Sequence, residues 1–308
     1  MEDFYERLAG LLSEDCIRTE EPMRNHTTFR IGGPAKYYVT PKTQKELTEV
    51  VGLCRRAAMP FCVIGNGSNL LVNDMGYRGA VVSTECLTWW ENRGKTGPDT
   101  ADEGIVLTAS AGILLSRLAK AAAGEGLTGL EFAAGIPGSL GGAVVMNAGA
   151  YGSEMKDVLC WVRVLDRQGA VRELTLPQLE LGYRTSCIEA EGYVVLEAGL
   201  CLKKGSREEI LCKMEELAAK RREKQPLEYP SAGSTFKRPK GYFAGKLIDD
   251  AGLRGFRIGD AQVSEKHCGF VVNRGCASAA DVISLCGQVR RRVKERFGVE
   301  LELEVKQL

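Results

Sequence analysis

The run AAGIPGSLGGAVVMNAGAYG, residues 133–152, carries glycines at 135, 138, 141, 142, 149 and 152. Such density strips side chains from a connected path and lets backbone N–H groups approach a diphosphate or a flat ring system. The run is not a dinucleotide fingerprint, which needs GxGxxG between a strand and a helix and an acidic residue about 20 positions further on. Nor is it a Walker loop, because no GK[ST] closes it. A second loop, GNGSNLLV at 65–72, falls one glycine short of GxGxxG, with Leu70 in the third glycine position. Each loop alone reads as a tight turn. Together, at either end of one predicted α/β unit, they point to a nucleotide-type cofactor.

The rest of the chain can build the core that such a site needs. Its 308 residues, 44% of them hydrophobic, are enough for two domains. Lys plus Arg number 41 against 40 Asp plus Glu, so a net charge of +1 supplies no general attraction for nucleic acid or a membrane surface. The first residues, MEDFYERLAGLLSED, are acidic and amphipathic rather than a basic leader with an apolar stretch. No segment approaches the roughly 20 apolar residues of a membrane span. These features predict a soluble, cytoplasmic protein. Eleven cysteines without a CxxC pair read as small apolar residues in a reducing compartment, and neither a disulfide framework nor a metal site is expected. Only two histidines, His26 and His267, occur, and neither stands in a motif of hydrolysis or metal chemistry. Acid–base work must therefore use other residues.

After Thr43, apolar Leu47, Val50, Val51, Cys54 and Ala57 recur at helical spacing, and the strand-like run at 61–64 follows and breaks at the 65–72 loop. A second helix is predicted over 114–123, then β-rich segments over 158–166, 170–174 and 193–203. A helix over 208–222 places Ile210, Leu211, Met214 and Leu217 on one face and ends in KRREK, which suits the negative end of its dipole. Pro226 and Pro230 then mark a shift in composition. Ser278 with Asp281 reads as a capping box, opening a helix with Val282, Cys286, Val289 and Val293 inward. The basic run RRRVKERF within it reads as a solvated face. A last strand is predicted over 299–308, with Glu300, Glu302 and Glu304 alternating along it.

Six blocks carry a resemblance: NHTTFRIGGPA (25–35), GNGSNLLV, GLEFAAGIPGSLGGAVVMNAGAYG, YRTS (183–186), AGSTFKRP (232–239) and LELEV (301–305). They stand in the order found in UDP-N-acetylenolpyruvoylglucosamine reductases, and the chain resembles that family over residues 24–305. The resemblance implies an α+β protein with a two-lobed FAD-binding domain of the vanillyl-alcohol-oxidase (PCMH) type over 26–204. An N-terminal helical segment, 1–25, precedes it, and a C-terminal α+β substrate-binding domain, 205–308, follows. It also implies FAD as cofactor, NADPH as hydride-donating co-substrate and UDP-N-acetylglucosamine enolpyruvate as substrate, in a monomer or weak oligomer with no nucleic-acid or membrane partner. Neither cofactor loop contains a histidine for covalent flavin attachment, so the FAD is expected to be non-covalent. The short stretch between AGSTFKRP and QVSEKHCGFVVN resembles the family type without an extra tyrosine-bearing loop, which leaves Tyr183 or Tyr242 as candidates to close the pocket.

Carried over by position, Gly65, Asn66, Gly67, Ser68, Asn69 and Leu70 would wrap the FAD diphosphate. Gly135, Ile136, Pro137, Gly138, Ser139, Gly141, Gly142, Asn147 and Gly149 would run along the flavin. Hydride delivery to C3 of an enolpyruvyl ether leaves carbanionic charge at C2 beside a carboxylate, so the site needs a nearby cation or donor and then a proton. The resemblance gives Arg184 and Glu304 the first task and Ser234 the second, with Tyr183, Lys237 and Arg238 contacting substrate. Residue by residue the alternatives stay open: Arg184 as a surface arginine, Glu304 as a solvent-facing strand residue, Lys237 and Arg238 as exposed turn residues, His26 as a packing or hydrogen-bonding residue. An oxidase on the same cofactor fold would leave AGSTFK and LELEV unexplained, and a binding module would have no use for a separate proton donor. Gly233 is expected to let the Ser234 hydroxyl approach its target closely, with Pro230 and Pro239 stiffening the loop.

Overall fold

In the computed structural model, which describes residues 4–95 and 104–308, two separate apolar cores organise the chain. One compact unit takes Met1–Arg18, Tyr38–Asn66 and Ala80–Arg221; the other takes Thr19–Tyr37, Gly67–Gly79 and Arg222–Leu308. Both mix helices with mainly antiparallel sheet, so the α+β class holds. The units interleave along the sequence, whereas 1–25, 26–204 and 205–308 are contiguous stretches.

Alternation builds the first core. Val162 and Val164, Ala198 and Leu200, and Leu107 and Ala109 each fall two residues apart and point to one face, where all six are fully buried. The registers Val162↔Ala198, Ala198↔Ala109 and Leu200↔Leu107 line them up across an antiparallel sheet. Its main strands run in the order Val171–Thr175, Leu159–Leu165, Val194–Lys204, Ile105–Ser110, Trp90–Lys95. The helices Leu115–Gly124 and Leu140–Val145 press Leu118, Ala122, Leu140 and Val144 onto the same face. Each such Leu or Val contributes about 1.5–3 kcal/mol by leaving water. In the same unit Thr43 caps the helix Gln44–Arg56 by accepting the Glu46 N–H at 3.1 Å. The strand Phe61–Ile64 that follows pairs in parallel with residues 80–83, and the connection between them carries the first glycine loop.

The second core lies under an antiparallel sheet in the order Ser231–Ser234, Phe270–Asn273, Ala261–Val263, Arg257–Ile258. The helix Ala279–Phe297 covers it with Val282, Leu285, Cys286, Val289 and Val293, and Phe29, Ile31 and Leu71 join from earlier in the chain. Ser278 and Asp281 form the expected capping box. Asp74 adds a second anionic cap, accepting the Ala279 and Ala280 N–H groups at 2.7 and 3.0 Å, where the helix dipole favours negative charge.

Four local expectations change. Among the described residues up to 25, helix is limited to Phe4–Ala9 and two 3-10 turns, because Gly10 ends the helix, and Ile17–Pro22 is a strand. On the helix Arg207–Lys224 Leu211 is 45% exposed while Ile210 and Leu217 are buried: one residue turns the side chain by about 100°. Residues 299–308 are a strand only at Lys306–Gln307, because the segment changes partner midway. Glu302 and Glu304 bond to Lys237 and Thr235, and Lys306 then bonds to Asn69. Finally, all eleven cysteines are free, but the apolar reading does not extend to Cys86, Cys212 and Cys276, which are exposed. It fits Cys54 and Cys286, where burial pushes the thiols up to about 11 and about 12. No helix among the described residues is long and apolar enough to cross a membrane.

Candidate active site

The second unit brings Ser234, Glu304 and Asn69 to one place through the backbone. Ser234 ends the strand Ser231–Ser234 and pairs with Phe270, after a register shift that follows Ser231↔Val272. The irregularity coincides with Gly233, whose φ is +76°, a conformation other residues adopt only with strain. A Cβ at Gly233 would meet no protein atom within 4 Å, so the left-handed backbone rather than close packing accounts for this glycine. Thr235, next in sequence and almost fully buried, is bonded on three sides. Its N–H donates to Gly269 O at 2.9 Å, its Oγ1 accepts the Val271 N–H at 2.8 Å, and its carbonyl accepts the Glu304 N–H at 2.9 Å. Asn69 then donates from Nδ2 to the Glu304 carbonyl at 3.0 Å. Sequence reasoning passed over Thr235; the signal was a β-branched hydroxyl residue between Ser234 and the buried Phe236, where a sheet can use both the branch and the oxygen.

Glu302 and Glu304 part company here. Glu302 is exposed and pairs with Lys237 at 3.2 Å, whereas Glu304 is half-buried beside Thr235. The guanidinium of Arg238 stacks on the Phe243 ring, 3.9 Å from its centroid, and its Nε donates to Tyr242 O at 3.4 Å. Lys237 and Arg238 thus hold surface partners within the protein. Tyr242 is itself exposed. His26 shares a 2.7 Å hydrogen bond with Glu21, the hydrogen-bonding role expected of it.

The N-terminal motif explains Gly67. With φ at +60°, a Cβ there would stand 2.0 Å from the His26 carbonyl oxygen, and the Gly67 carbonyl accepts the Thr28 N–H at 3.3 Å. NHTTF and Gly67 of the 65–70 loop are therefore built against each other, and only glycine fits the crossing.

In the first unit the other halves of the two glycine loops meet. A Cβ on Gly65 would overlap the Ser139 hydroxyl at 1.9 Å, and Asn66 Nδ2 donates to Pro137 O at 2.6 Å. Ser139, buried, caps the helix Leu140–Val145 by accepting the Gly142 N–H. The N–H groups of Ile136, Leu140 and Gly141 donate to the carbonyls of Ala133, Ile113 and Ala111. The cradle expected from this run is thus narrower than its glycine count suggests. Gly141 serves packing, since a Cβ there would stand 2.9 Å from that of Ala111. One half-buried or exposed stretch is 135–138, Gly-Ile-Pro-Gly, which has no charged side chain of its own and is flanked by Ser139 and Asn66. The Arg221 guanidinium lies against it, 3.4 Å from where a Cβ on Gly135 would stand. A side-chain-poor turn with a cation beside it fits a flat aromatic cofactor carrying a diphosphate.

Arg184 and Tyr183 form the tip of a tight turn in the same unit. Gly182 and Thr185 bridge its ends, Arg184 has φ +56°, and its Nη2 donates to the Gly149 carbonyl at 3.3 Å. The guanidinium lies 5.2 Å from the Tyr183 ring centroid, and Tyr183 is 52% exposed. Asn147 is fully buried beneath this turn.

Two family models match the chain: an FAD-binding domain over residues 35–175 and the C-terminal domain of UDP-N-acetylenolpyruvoylglucosamine reductase over 225–308. The UDP-N-acetylenolpyruvoylglucosamine reductase of Agathobacter rectalis is 55% identical over 308 residues, covering 99% of this chain and 98% of its own. That of Lachnoclostridium phytofermentans is 53% identical over 301 residues, covering 98% and 96%. The crystal structure of the Thermus caldophilus enzyme superposes with a TM-score of 0.76 at 40% identity, over 94% of this chain and 99% of that one. With a Ser234–Thr235–Glu304 junction in one unit, a glycine-rich cradle in the other, and relatives matched over nearly their whole length, the chain belongs to the UDP-N-acetylenolpyruvoylglucosamine reductase family.

Proposed function

We propose that the chain reduces the enolpyruvyl ether of UDP-N-acetylglucosamine enolpyruvate to UDP-N-acetylmuramate, a step of peptidoglycan precursor synthesis, with non-covalent FAD as cofactor and NADPH as reductant. FAD is held by residues 65–70, 135–139, 141, 142 and 149, and residues 26–204 and 205–308 act as cofactor-binding and substrate-binding parts. When bound, FAD would supply the hydride chemistry that links NADPH to C3 of the ether. Ser234 then supplies its hydroxyl proton to C2, so that hydride and proton together add across the double bond. Arg184 stabilises the negative charge at C2 and on the neighbouring carboxylate as a cation, and Glu304 does so in its protonated form as a hydrogen-bond donor. Lys237, Arg238 and Tyr183 contact the sugar nucleotide from exposed positions. The protein works in the cytoplasm as a monomer or weak oligomer.

The observation that carries this reading is the three-way bonding of Thr235, which sets Ser234 and Glu304 side by side without using either side chain. A proton donor needs such a fixed approach, and a turn residue does not. The experiment is to record the flavin spectrum of the purified protein and follow NADPH oxidation with and without the enolpyruvyl sugar nucleotide. Oxidation that does not depend on that substrate would remove the reading.

A further inference from the structure

The turn bearing Arg184 is held by a residue outside it. Gly182 N–H donates to Thr185 O at 3.1 Å and Thr185 N–H to Gly182 O at 3.4 Å, around a tip made of Tyr183 and Arg184. The left-handed φ of +56° at Arg184 is one that glycine would adopt with less strain, and strain of this kind persists only where the surroundings impose it. Three hydrogen bonds stitch the turn to residues 145–149. Ser186 Oγ donates to Val145 O at 2.8 Å, Asn147 Nδ2 to Gly182 O at 3.0 Å, and Arg184 Nη2 to Gly149 O at 3.3 Å.

Asn147 is the central one. Its side chain is fully buried, its Oδ1 accepts the Lys156 N–H at 2.9 Å, and its own backbone has φ +43°. The carboxamide is therefore committed at both ends and presents no exposed face. A carboxamide can donate to the Gly182 carbonyl and accept from the Lys156 amide at once; an aspartate cannot donate, and an apolar residue can do neither.

We propose that Asn147 is a positioning residue for Arg184 rather than a cofactor ligand: it fixes the left-handed turn so that the guanidinium faces the developing charge. This rests on the substrate-facing role given to Arg184 above.

The test uses the full-length, FAD-loaded protein. Asn147→Ala should retain its flavin and exchange the Thr185 amide hydrogen about tenfold faster. It should lose about 10–100-fold in kcat with KM changed less than about threefold. In an Arg184→Ala background the same substitution should cost less than about twofold, because the group it positions is gone. Asn147→Asp serves where alanine does not fold. Nearly the same shape, it can donate to Gly182 only when protonated, so its turnover relative to the unsubstituted protein should rise as pH falls. Loss of flavin, unchanged exchange at Thr185, a full loss of rate on top of Arg184→Ala, or a pH-independent ratio for the aspartate variant overturns the proposal. Absence of substrate-dependent NADPH oxidation in the unsubstituted protein would sink the functional reading instead, and the Thr185 exchange would still decide whether Asn147 holds the turn.

Discussion

Ser234 and Glu304 hang on backbone paired to a sheet, whereas Arg184 rides a two-residue turn, left-handed at Arg184 and anchored by side-chain hydrogen bonds of which the buried Asn147 carboxamide makes the central one. In the first region the main chain itself supplies the geometry, and the buried Thr235 and Phe236 tie that geometry to a core. In the second, side chains supply it, against a local conformational preference for glycine. Damage to the hydrogen bonds that hold the sheet-borne region should therefore appear as lost stability together with lost rate. Damage to the turn should appear as lost rate alone, or even with a gain in stability.

The largest effect separates chemistry from folding in the sheet-borne region. Ser234→Ala should lower substrate-dependent turnover by about 10²–10⁴-fold, the usual contribution of a positioned proton donor. Flavin reduction by NADPH, followed by stopped flow, would continue, and the unfolding midpoint would stay in place because the hydroxyl is not part of the ladder. An equal loss in both half-reactions would make Ser234 structural.

Thr235→Val tests the scaffold itself. It keeps the shape but strips the acceptor from a buried Val271 N–H, which should cost about 1–3 kcal/mol in urea unfolding and lower turnover with it. Unchanged stability would show that the junction rests on something else.

At the turn the sign reverses. Arg184→Gly should abolish most turnover yet raise stability by up to about 1 kcal/mol, since relief of the left-handed strain outweighs the extra freedom of glycine in the unfolded chain. A stability loss in thermal melts would mean that the Gly149 and Tyr183 contacts of Arg184 dominate.

The smallest effect is pH-dependent. Burial holds the His267 imidazole below its ordinary pKa, and its Nδ1 accepts the N–H of Gly269, whose carbonyl in turn bonds Thr235. With the folded pKa depressed, the native state binds fewer protons than the unfolded chain. The contribution is therefore present above about pH 6.5 and is lost as pH falls through that value. His267→Gln should flatten this part of the stability profile, and an unchanged slope between about pH 7 and pH 5 would assign it to other groups.

Much of the local structure was legible in the chain. The apolar spacing after Thr43 announced one helix, Ser278 and Asp281 announced another, and the β-rich runs at 158–166 and 193–203 gave their strands, because each signal acts within a few residues of itself. The strand expected over 299–308 failed for the opposite reason: its alternation is real, but the partners switch from Thr235 and Lys237 to Asn69 along its length. The helical segment expected over 1–25 holds a helix at Phe4–Ala9, after which come Gly10 and the strand Ile17–Pro22. Six ordered motifs pointed to the family, and relatives about half identical over the whole chain bear that out.

What the sequence determined by itself is therefore several helices and strands, the Ser278–Asp281 box, the cofactor class and the family, since these follow from short-range pattern and motif order. The tertiary structure decided what individual residues are for. Gly67 is glycine because the His26 carbonyl, 41 positions earlier, lies where a Cβ would be. Glu302 and Glu304 are both bonded through the backbone, to Lys237 and Thr235, but Glu302 meets the Lys237 ammonium at the surface and Glu304 lies half-buried. Asn147, in the middle of the flavin motif, turns its amide toward Gly182. Such roles depend on which distant backbone atoms meet, and that meeting is set by the packing of the cores rather than by any residue's neighbours in the chain.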